Sequence, residues 1–425
     1  MNTNFVAELR WRGMLHQDMP GTEEQLNKEM TPGYIGFDPT ASSLHIGNLV
    51  PIMLLVHFQR AGHKPIALVG GATGMIGDPS GKSAERNLLS EDVLRENIAG
   101  IRTQLEKFLD FDCGAHSAEL VNNYDWYKDV SLLHFLREVG KHLTVSYMMA
   151  KDSVKNRLDT GLSFTEFSYQ LFQGYDFYHL YKHHHCRLQM GGSDQWGNIT
   201  TGTELIRRKD GGEAFALTCP LLTKSDGSKF GKSEGGNIWL DANRTSPYKF
   251  YQFWLNVEDT DLPKLIRYFT THSRETIEAW EAEHAQNPNA LKRILAEDIT
   301  KRVHSEADLL QAQKATNLLF GKSTWEDFEA TDEAVLQEVL EGIPQKNISR
   351  GNFEAFANSI DLIAESLDMS KGEVRRLLKN NGLSINQDKI TVNQAESKPN
   401  FALFKNKYLL FRKGKKEYYL LRIED

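Results

Sequence analysis

Three cysteines, Cys113, Cys186 and Cys219, are all that 425 residues contain. They are too few and too widely spaced for a disulfide framework, which fits a reducing cytoplasm. Long apolar runs are missing as well. Mean hydropathy is −0.48, and the run from Pro51 to Val56 falls far short of the roughly 20 residues that cross a bilayer. The opening residues MNTNFVAELRWRG lack an apolar stretch and carry Glu8, so no targeting segment is expected. Paired metal ligands are absent too: HHHC ends at Cys186 with no second Cys or His cluster nearby. No metal site is expected.

What is present describes an ordinary globular chain, 40% hydrophobic and 25% charged, with length for about three domains. Net charge is −7 and unevenly spread. Residues 371–425 hold 13 Lys and Arg against 6 Asp and Glu, whereas the remainder holds 37 against 51. A basic tail on an acidic body suggests a polyanion partner for the tail alone; exposed lysines serving solubility are the plain alternative.

Three short apolar segments run into glycine- or aspartate-rich turns: Tyr34 to Phe37 before DPT, Ile66 to Val69 before GGATGMIGDP, and Leu188 to Met190 before GGSDQWGN. Helical patterns separate them, as βα repetition around a parallel sheet requires. Ligands bind beyond the carboxyl ends of such strands, which gathers Asp38, Thr40, Asp78 and Asp194 around one crevice. Beyond about residue 245 the pattern turns helical, and the turn-prone stretches starting at Gly321 and Ile343 mark the approach to a separate C-terminal domain. There SKGEVRRLLKNNG reads as a helix stopped at Gly382, leading into strands around LSIN and KITVN.

HIGN, His45 to Asn48, opens the helix after the first strand. His45 and Asn48 project from one side, Gly47 lets a ligand reach the backbone, and the unpaired N–H groups of a helix start favour phosphate. TKSDGSKFGKSEGG adds Lys229 and Lys232 on a glycine-rich loop able to close over a polyphosphate. Each alone is weak, since a lone histidine is more often structural and a lysine loop more often merely solvated. Together they are a specific pair. In SFTEFSYQLFQGYDF, Ser163 and Glu166 make a capping box, and Tyr169, Gln173 and Asp176 fall at i, i+4 and i+7 of an otherwise apolar helix. A polar stripe on a buried helix needs partners, and a ligand supplies them; a solvent-facing stripe is the bland alternative.

On HIGN and KFGKS the chain resembles the class I aminoacyl-tRNA synthetases, which carry their two ATP-binding motifs at these places. YIGFDPTASSLHIG, ALVGGATGMIGDPSG, NNYDW, SFTEFSYQLFQGYDF and QMGGSDQWGNIT narrow the resemblance to the bacterial tyrosyl-tRNA synthetases, over nearly the whole chain. This resemblance implies an α/β protein: a Rossmann-like parallel-sheet catalytic domain over 1–225, the KFGKS loop and an α-helical domain over 226–325, a linker over 326–348, and a small α+β S4-like RNA-binding domain over 349–425. It further implies a cytoplasmic homodimer that activates L-tyrosine with ATP and passes it to the 3′-terminal adenosine of tRNA(Tyr).

By the same resemblance Tyr34 and Asp176 bond the substrate phenol, while Asp78, Tyr169 and Gln173 hold its ammonium. Asn123 supports that pocket, and Trp126 fits either its wall or plain core. Thr40 and His45 meet the γ-phosphate, Asn48 and Asp194 the ribose, and Gln195 the reacting carboxylate and α-phosphate. Gly192 lets the ribose approach, and Asp38 stands on the ATP side near the ammonium. Lys82, Arg86, Lys229 and Lys232 surround the leaving pyrophosphate, with Mg²⁺ accompanying ATP and no all-protein cage for it. Asn48 stands where many relatives have histidine and Pro51 where some have threonine; neither removes a group the chemistry needs. Arg375, Arg376 and Lys379 on one helix, and Arg412, Lys413, Lys415 and Lys416 in FRKGKKEYY, meet tRNA phosphates. Lys151, Arg207 and Arg208 are further candidates for tRNA, and LLHFLREVGKHLTVSYMM with Phe164 for the dimer face.

Three rivals are weaker. A tryptophan-specific enzyme of the same fold has no evident use for Tyr34 with Asp176. A nucleotidyltransferase lacks the KFGKS loop and basic tail, and an RNA-binding protein without catalysis has no need of all four phosphate-facing cations.

Overall fold

Strands β1 (Gln17–Asp18), β2 (Pro32–Phe37), β3 (Lys64–Val69), β4 (Glu119–Asn122), β5 (Leu188–Gly192) and β6 (Phe215–Cys219) form one sheet in the order β1-β6-β5-β2-β3-β4. Strands β2 to β6 are parallel, and β1 lies antiparallel along β6. Ile66, Ala67, Val69, Ala216 and Leu217 are wholly buried, because helices cover both faces and leave no solvent side for an alternating pattern. From β2 the chain crosses to β3 on one side and later returns to β5 on the other. A crevice therefore opens beyond the carboxyl ends of β2 and β5, which pair at Tyr34 and Gln189.

The computed structural model describes residues 4–424 apart from 79, 81–89, 158–160, 226, 228–229, 234–235, 321–324, 342, 387 and 415–416. The chain folds as two compact units, Met1–Glu306 and Ala307–Asp425. No helix among the described residues is long and apolar enough to cross a membrane.

In the first unit HIGN forms a single tight turn, Ile46–Asn48, continued by the helix Leu49–Arg60. Pro51 falls in the first turn of that helix, where no backbone N–H is needed. The helix Phe164–His184 starts at the predicted capping box, with Ser163 Oγ accepting from Glu166 N–H at 3.2 Å. Arg157 clamps the same Glu166 through two bonds of 3.0 and 3.1 Å. This helix packs closely on Trp196–Asp210 because Gly202 faces Phe177, where an added Cβ would stand 2.8 Å from the ring. The helices Pro247–Leu255, Leu262–Phe269 and Pro288–Val303 follow, with Phe250, Trp254 and Phe269 fully buried. Short strands β7 (Lys232–Ser233) and β8 (Gly236–Asn237) pair within the KFGKS region.

The second unit holds a five-stranded sheet of β9 (Gln345–Ser349), β10 (Leu383–Ile385), β11 (Asp388–Lys389), β12 (Tyr408–Lys413) and β13 (Glu417–Glu424), ordered β11-β10-β12-β13-β9. Helices Ser359–Ser366 and Lys371–Lys379 cover one core of Leu362, Ile363, Val374, Leu378, Leu409 and Phe411. Two expectations need correcting. Residues 326–348, read as a linker, carry the helix Glu333–Glu341 and most of β9. Their acidic composition hid an amphipathic pattern in which Leu336, Val339 and Leu340 are buried. KITVN is a strand only at its start, because Thr391 caps the short helix Val392–Ala395 through a capping box with Gln394.

Candidate active site

A cavity of about 290 Å³ opens at the crevice between β2 and β5. Tyr34, Asp38, Asn48, Asp78, Tyr169, Gln173, Asp176, Gly192, Asp194 and Gln195 all line it. The predicted i, i+4, i+7 stripe therefore faces inward together. Asn123 stands behind the wall, fully buried, donating Nδ2 to Asp176 Oδ2 and to Thr73 Oγ1 at 3.0 Å each. Trp126 donates Nε1 to Asp176 Oδ1 at 3.0 Å, which makes it a support rather than mere packing.

The two ends of the cavity differ in chemistry. At one end Tyr34 Oη is buried without a hydrogen-bond partner. Burial, and then the nearby Asp176 charge, push its hydroxyl well above its usual titration range. Asp176 is itself wholly buried, and that burial lifts its carboxyl to about 7 against the hydrogen bonds from Asn123 and Trp126. At the other end Tyr169 donates to Asp38 at 3.3 Å, and Asp78 accepts from Gln195 Nε2 at 2.7 Å and from Ser80 N–H at 2.9 Å. The buried Asp78 and half-buried Asp38 carboxylates gathered there call for a cation, while the opposite end calls for a hydroxyl.

Two further residues belong to the site. Gln189 pairs with Tyr34 in the sheet and keeps Oε1 buried and unpartnered; its signal was a single polar residue inside the apolar LQM strand. Thr73 lines the cavity from the glycine turn after β3, and nothing in GGATG marked it.

The rim belongs to the two signature motifs. His45 N–H donates to Asn48 Oδ1 at 3.0 Å, and the imidazole folds over Gly47, where an added Cβ would meet its Cε1 at 2.8 Å. Gly231 of KFGKS, at φ +88°, packs against Gly47, its would-be Cβ only 3.2 Å from the Gly47 nitrogen. The motifs, far apart in sequence, thus meet backbone to backbone. Thr40 is exposed beside this rim, its N–H bonded to Asp38 O at 2.9 Å. Lys82, Arg86, Lys229 and the side chain of Lys232 lie outside the described residues.

In the second unit Arg375, Arg376 and Lys379 are exposed on the outer face of their helix, opposite buried Val374 and Leu378. Lys413 pairs with Glu417 at 3.1 Å, and the Arg412 Nε is buried without a partner. Lys415 and Lys416 lie outside the described residues. Of the further candidates, Arg207 and Arg208 pair with Glu204. Lys151 is drawn inward to Tyr147 Oη at 2.7 Å and Thr200 Oγ1 at 3.0 Å, and burial lowers its ammonium to about 8.

Residues 27–321 match the family model described as tRNA synthetases class I (W and Y). The chain belongs to that family. Residues 336–421 match a second model, the tyrosine–tRNA ligase SYY-like C-terminal domain. Tyrosine–tRNA ligase of Cytophaga hutchinsonii is 64% identical over 425 residues, 99% of either chain. That of Porphyromonas gingivalis is 59% identical over 430 residues, covering 99% of this chain and 100% of the other. Among solved structures, a C-terminally truncated mitochondrial tyrosyl-tRNA synthetase of Aspergillus nidulans superposes with TM-score 0.67 at 29% identity, over 75% of this chain and 94% of that one. The tyrosyl-tRNA synthetase of Archaeoglobus fulgidus, at 17% identity and TM-score 0.53 over 73% and 99%, shares the fold.

Proposed function

We propose that this chain acts as a tyrosine–tRNA ligase, forming tyrosyl-adenylate and pyrophosphate from L-tyrosine and ATP, then aminoacylating the 3′-terminal adenosine of tRNA(Tyr). One observation carries the reading: an unpartnered buried Tyr34 hydroxyl beside Asp176 at one end of a cavity, with Asp38 and Asp78 at the other. A tyrosine zwitterion satisfies both ends, its phenol between Tyr34 and Asp176 and its ammonium at Asp78, Tyr169 and Gln173, with Asn123 holding Asp176. A site built to bond a hydroxyl rejects the analogue lacking it; tyrosyl-tRNA synthetases are themselves the reference case, rejecting phenylalanine by about 10⁵.

The substrate carboxylate is already ionised, so attack on the α-phosphorus needs no general base. Positioning and aimed charge carry the step. Gln195 orients the carboxylate and α-phosphate, Asp194, Asn48 and Gly192 receive the ribose, Asp38 borders the nucleotide, and Thr40 and His45 meet the γ-phosphate. Lys82, Arg86, Lys229 and Lys232 take the leaving pyrophosphate. Mg²⁺, where it accompanies ATP, would be held by the phosphates and would neutralise their charge. Residues 1–225 and 226–325 then serve catalysis, and the basic face of Arg375, Arg376, Lys379, Arg412, Lys413, Lys415 and Lys416 holds tRNA, in the cytoplasm.

Amino-acid-dependent ATP–pyrophosphate exchange tests the reading. Exchange with tyrosine alone is expected; exchange with tryptophan would sink the pocket assignment. The homodimer rests on Leu132, Leu133, Val145 and Phe164, which are 71, 80, 67 and 78% exposed, apolar surface that a second copy would cover. Leu133→Asp is expected to shift the sedimentation coefficient from dimer to monomer.

A further inference from the structure

The HIGN turn and the segment after the KFGKS loop are joined in an antiparallel seam. His45 bridges Trp239, Ile46 N–H donates to Ile238 O at 2.9 Å, and Leu240 N–H donates to Leu44 O at 2.9 Å. The seam is anchored from beneath by Ser43 Oγ, which accepts from Asp241 N–H at 3.2 Å and from Gln104 Nε2 at 2.9 Å. Within it the half-buried Trp239 indole meets the His45 imidazole edge to face, ring centres 6.0 Å apart at 62°. The Arg244 guanidinium stands 4.0 Å over the same indole. Trp239 N–H is fixed on Thr245 Oγ1 at 3.0 Å, and Asp241 O accepts from the N–H groups of Arg244 and Thr245 at 3.1 and 3.0 Å.

We propose that Trp239 is a positioning residue for adenylate formation, setting the direction of the His45 ring, and that Arg244 holds the indole in place. The inference rests on the phosphate-facing role given to His45 above. A histidine ring turns broadly about its second side-chain torsion; the Asn48 N–H, donating to the ring in a capping box, holds it at one point, and Trp239 adds a second restraint on its plane. Such an edge-to-face pair sets the positive edge of one ring against the electron-rich face of the other, which restrains their mutual orientation. Stacked guanidinium restrains the indole through the same quadrupole. Trp239 does not line the cavity, so its removal should leave tyrosine recognition alone.

Full-length Trp239→Leu, Trp239→Phe, Arg244→Gln and His45→Ala variants, compared by tyrosine-dependent exchange, test the proposed chain of interactions. Trp239→Leu is expected to lower kcat about tenfold or more with the tyrosine KM unchanged, since small misplacement of a transition-state group is expensive in rate. Trp239→Phe should restore most of that loss. His45→Ala combined with Trp239→Leu should be no slower than His45→Ala, and Arg244→Gln should have no effect once Trp239 is Leu. Additive losses, or a tyrosine KM that rises as kcat falls, overturn the proposal. A second readout is independent of turnover. The His45 ring proton, assigned by its disappearance in His45→Ala, should carry an indole ring-current shift that Trp239→Leu abolishes and Trp239→Phe reduces. An unmoved resonance overturns the proposal even where exchange is normal. No exchange in the wild-type protein overturns the ligase reading and this inference with it.

Discussion

The pocket of the first unit and the basic face of the second are built on opposite principles. The pocket relies on a few groups stripped of water: Tyr34, Asp176 and Asn123 are at most 2% exposed. The face of Arg375, Arg376 and Lys379 is open to solvent. A desolvated group without its partner is penalised heavily, whereas an exposed charge loses little when its partner leaves. On the proposed function, the first arrangement would discriminate a single hydroxyl, and the second would grip any phosphate chain and depend on salt.

Breaking the pocket should have the largest effect. Asp176→Ala removes the acceptor proposed for the substrate phenol and takes the Asp176 partner from Asn123 Nδ2 and Trp126 Nε1. Its kcat/KM for tyrosine is expected to fall about 10²- to 10⁴-fold, summing a charged hydrogen bond and buried unpaired donors; a fall under tenfold would remove Asp176 from the site. The next effect comes from pH. Burial pushes the Asp176 carboxyl from 3.8 up to about 7, and in the proposed site its ionised form accepts the substrate phenol. Tyrosine affinity should therefore drop about 25-fold from pH 7.5 to 5.5, with Asp176→Asn flattening the profile of a direct binding titration. The stability sign is the reverse. A raised acidic group contributes stability that is full below about 4 and lost as pH rises through about 7, so Asp176→Asn should reduce the fall in melting temperature across that window.

Tyr34→Phe is milder, since it deletes one neutral hydrogen bond. A loss of about 2- to 15-fold in kcat/KM for tyrosine, with narrowed discrimination against phenylalanine, is expected from competition kinetics. The smallest effects per residue belong to the exposed face. Replacing Arg375, Arg376 and Lys379 together by Ala should leave tyrosine-dependent exchange unchanged. It should lower the slope of log affinity for tRNA against log salt by roughly 2 to 3, about 0.7 to 0.9 for each phosphate no longer neutralised. A loss of exchange in that variant would erase the distinction between the two regions.

Sequence reading succeeded where the information is local. The Ser163–Glu166 capping box, the Tyr169, Gln173, Asp176 stripe and the strands ending in glycine turns all follow from periodicity and cap chemistry over a few residues. It failed where partners are distant or composition misleads. Gln189 matters because β5 lies beside β2, which makes it the neighbour of Tyr34. Thr391 turned KITVN from strand into helix start, and acidic residues disguised the buried Leu336 and Leu340.

By itself, the chain's order of residues determined which elements form, which side chains share a face, and which family's motifs it carries, because these depend on short-range geometry. Tertiary structure alone decided that His45 meets Trp239, that Gly231 closes on Gly47, and that Asp176 is buried deeply enough to titrate near 7. Those outcomes depend on strand order and on desolvation by residues far along the chain, and neither quantity exists until the sheet and its helices have closed around the site.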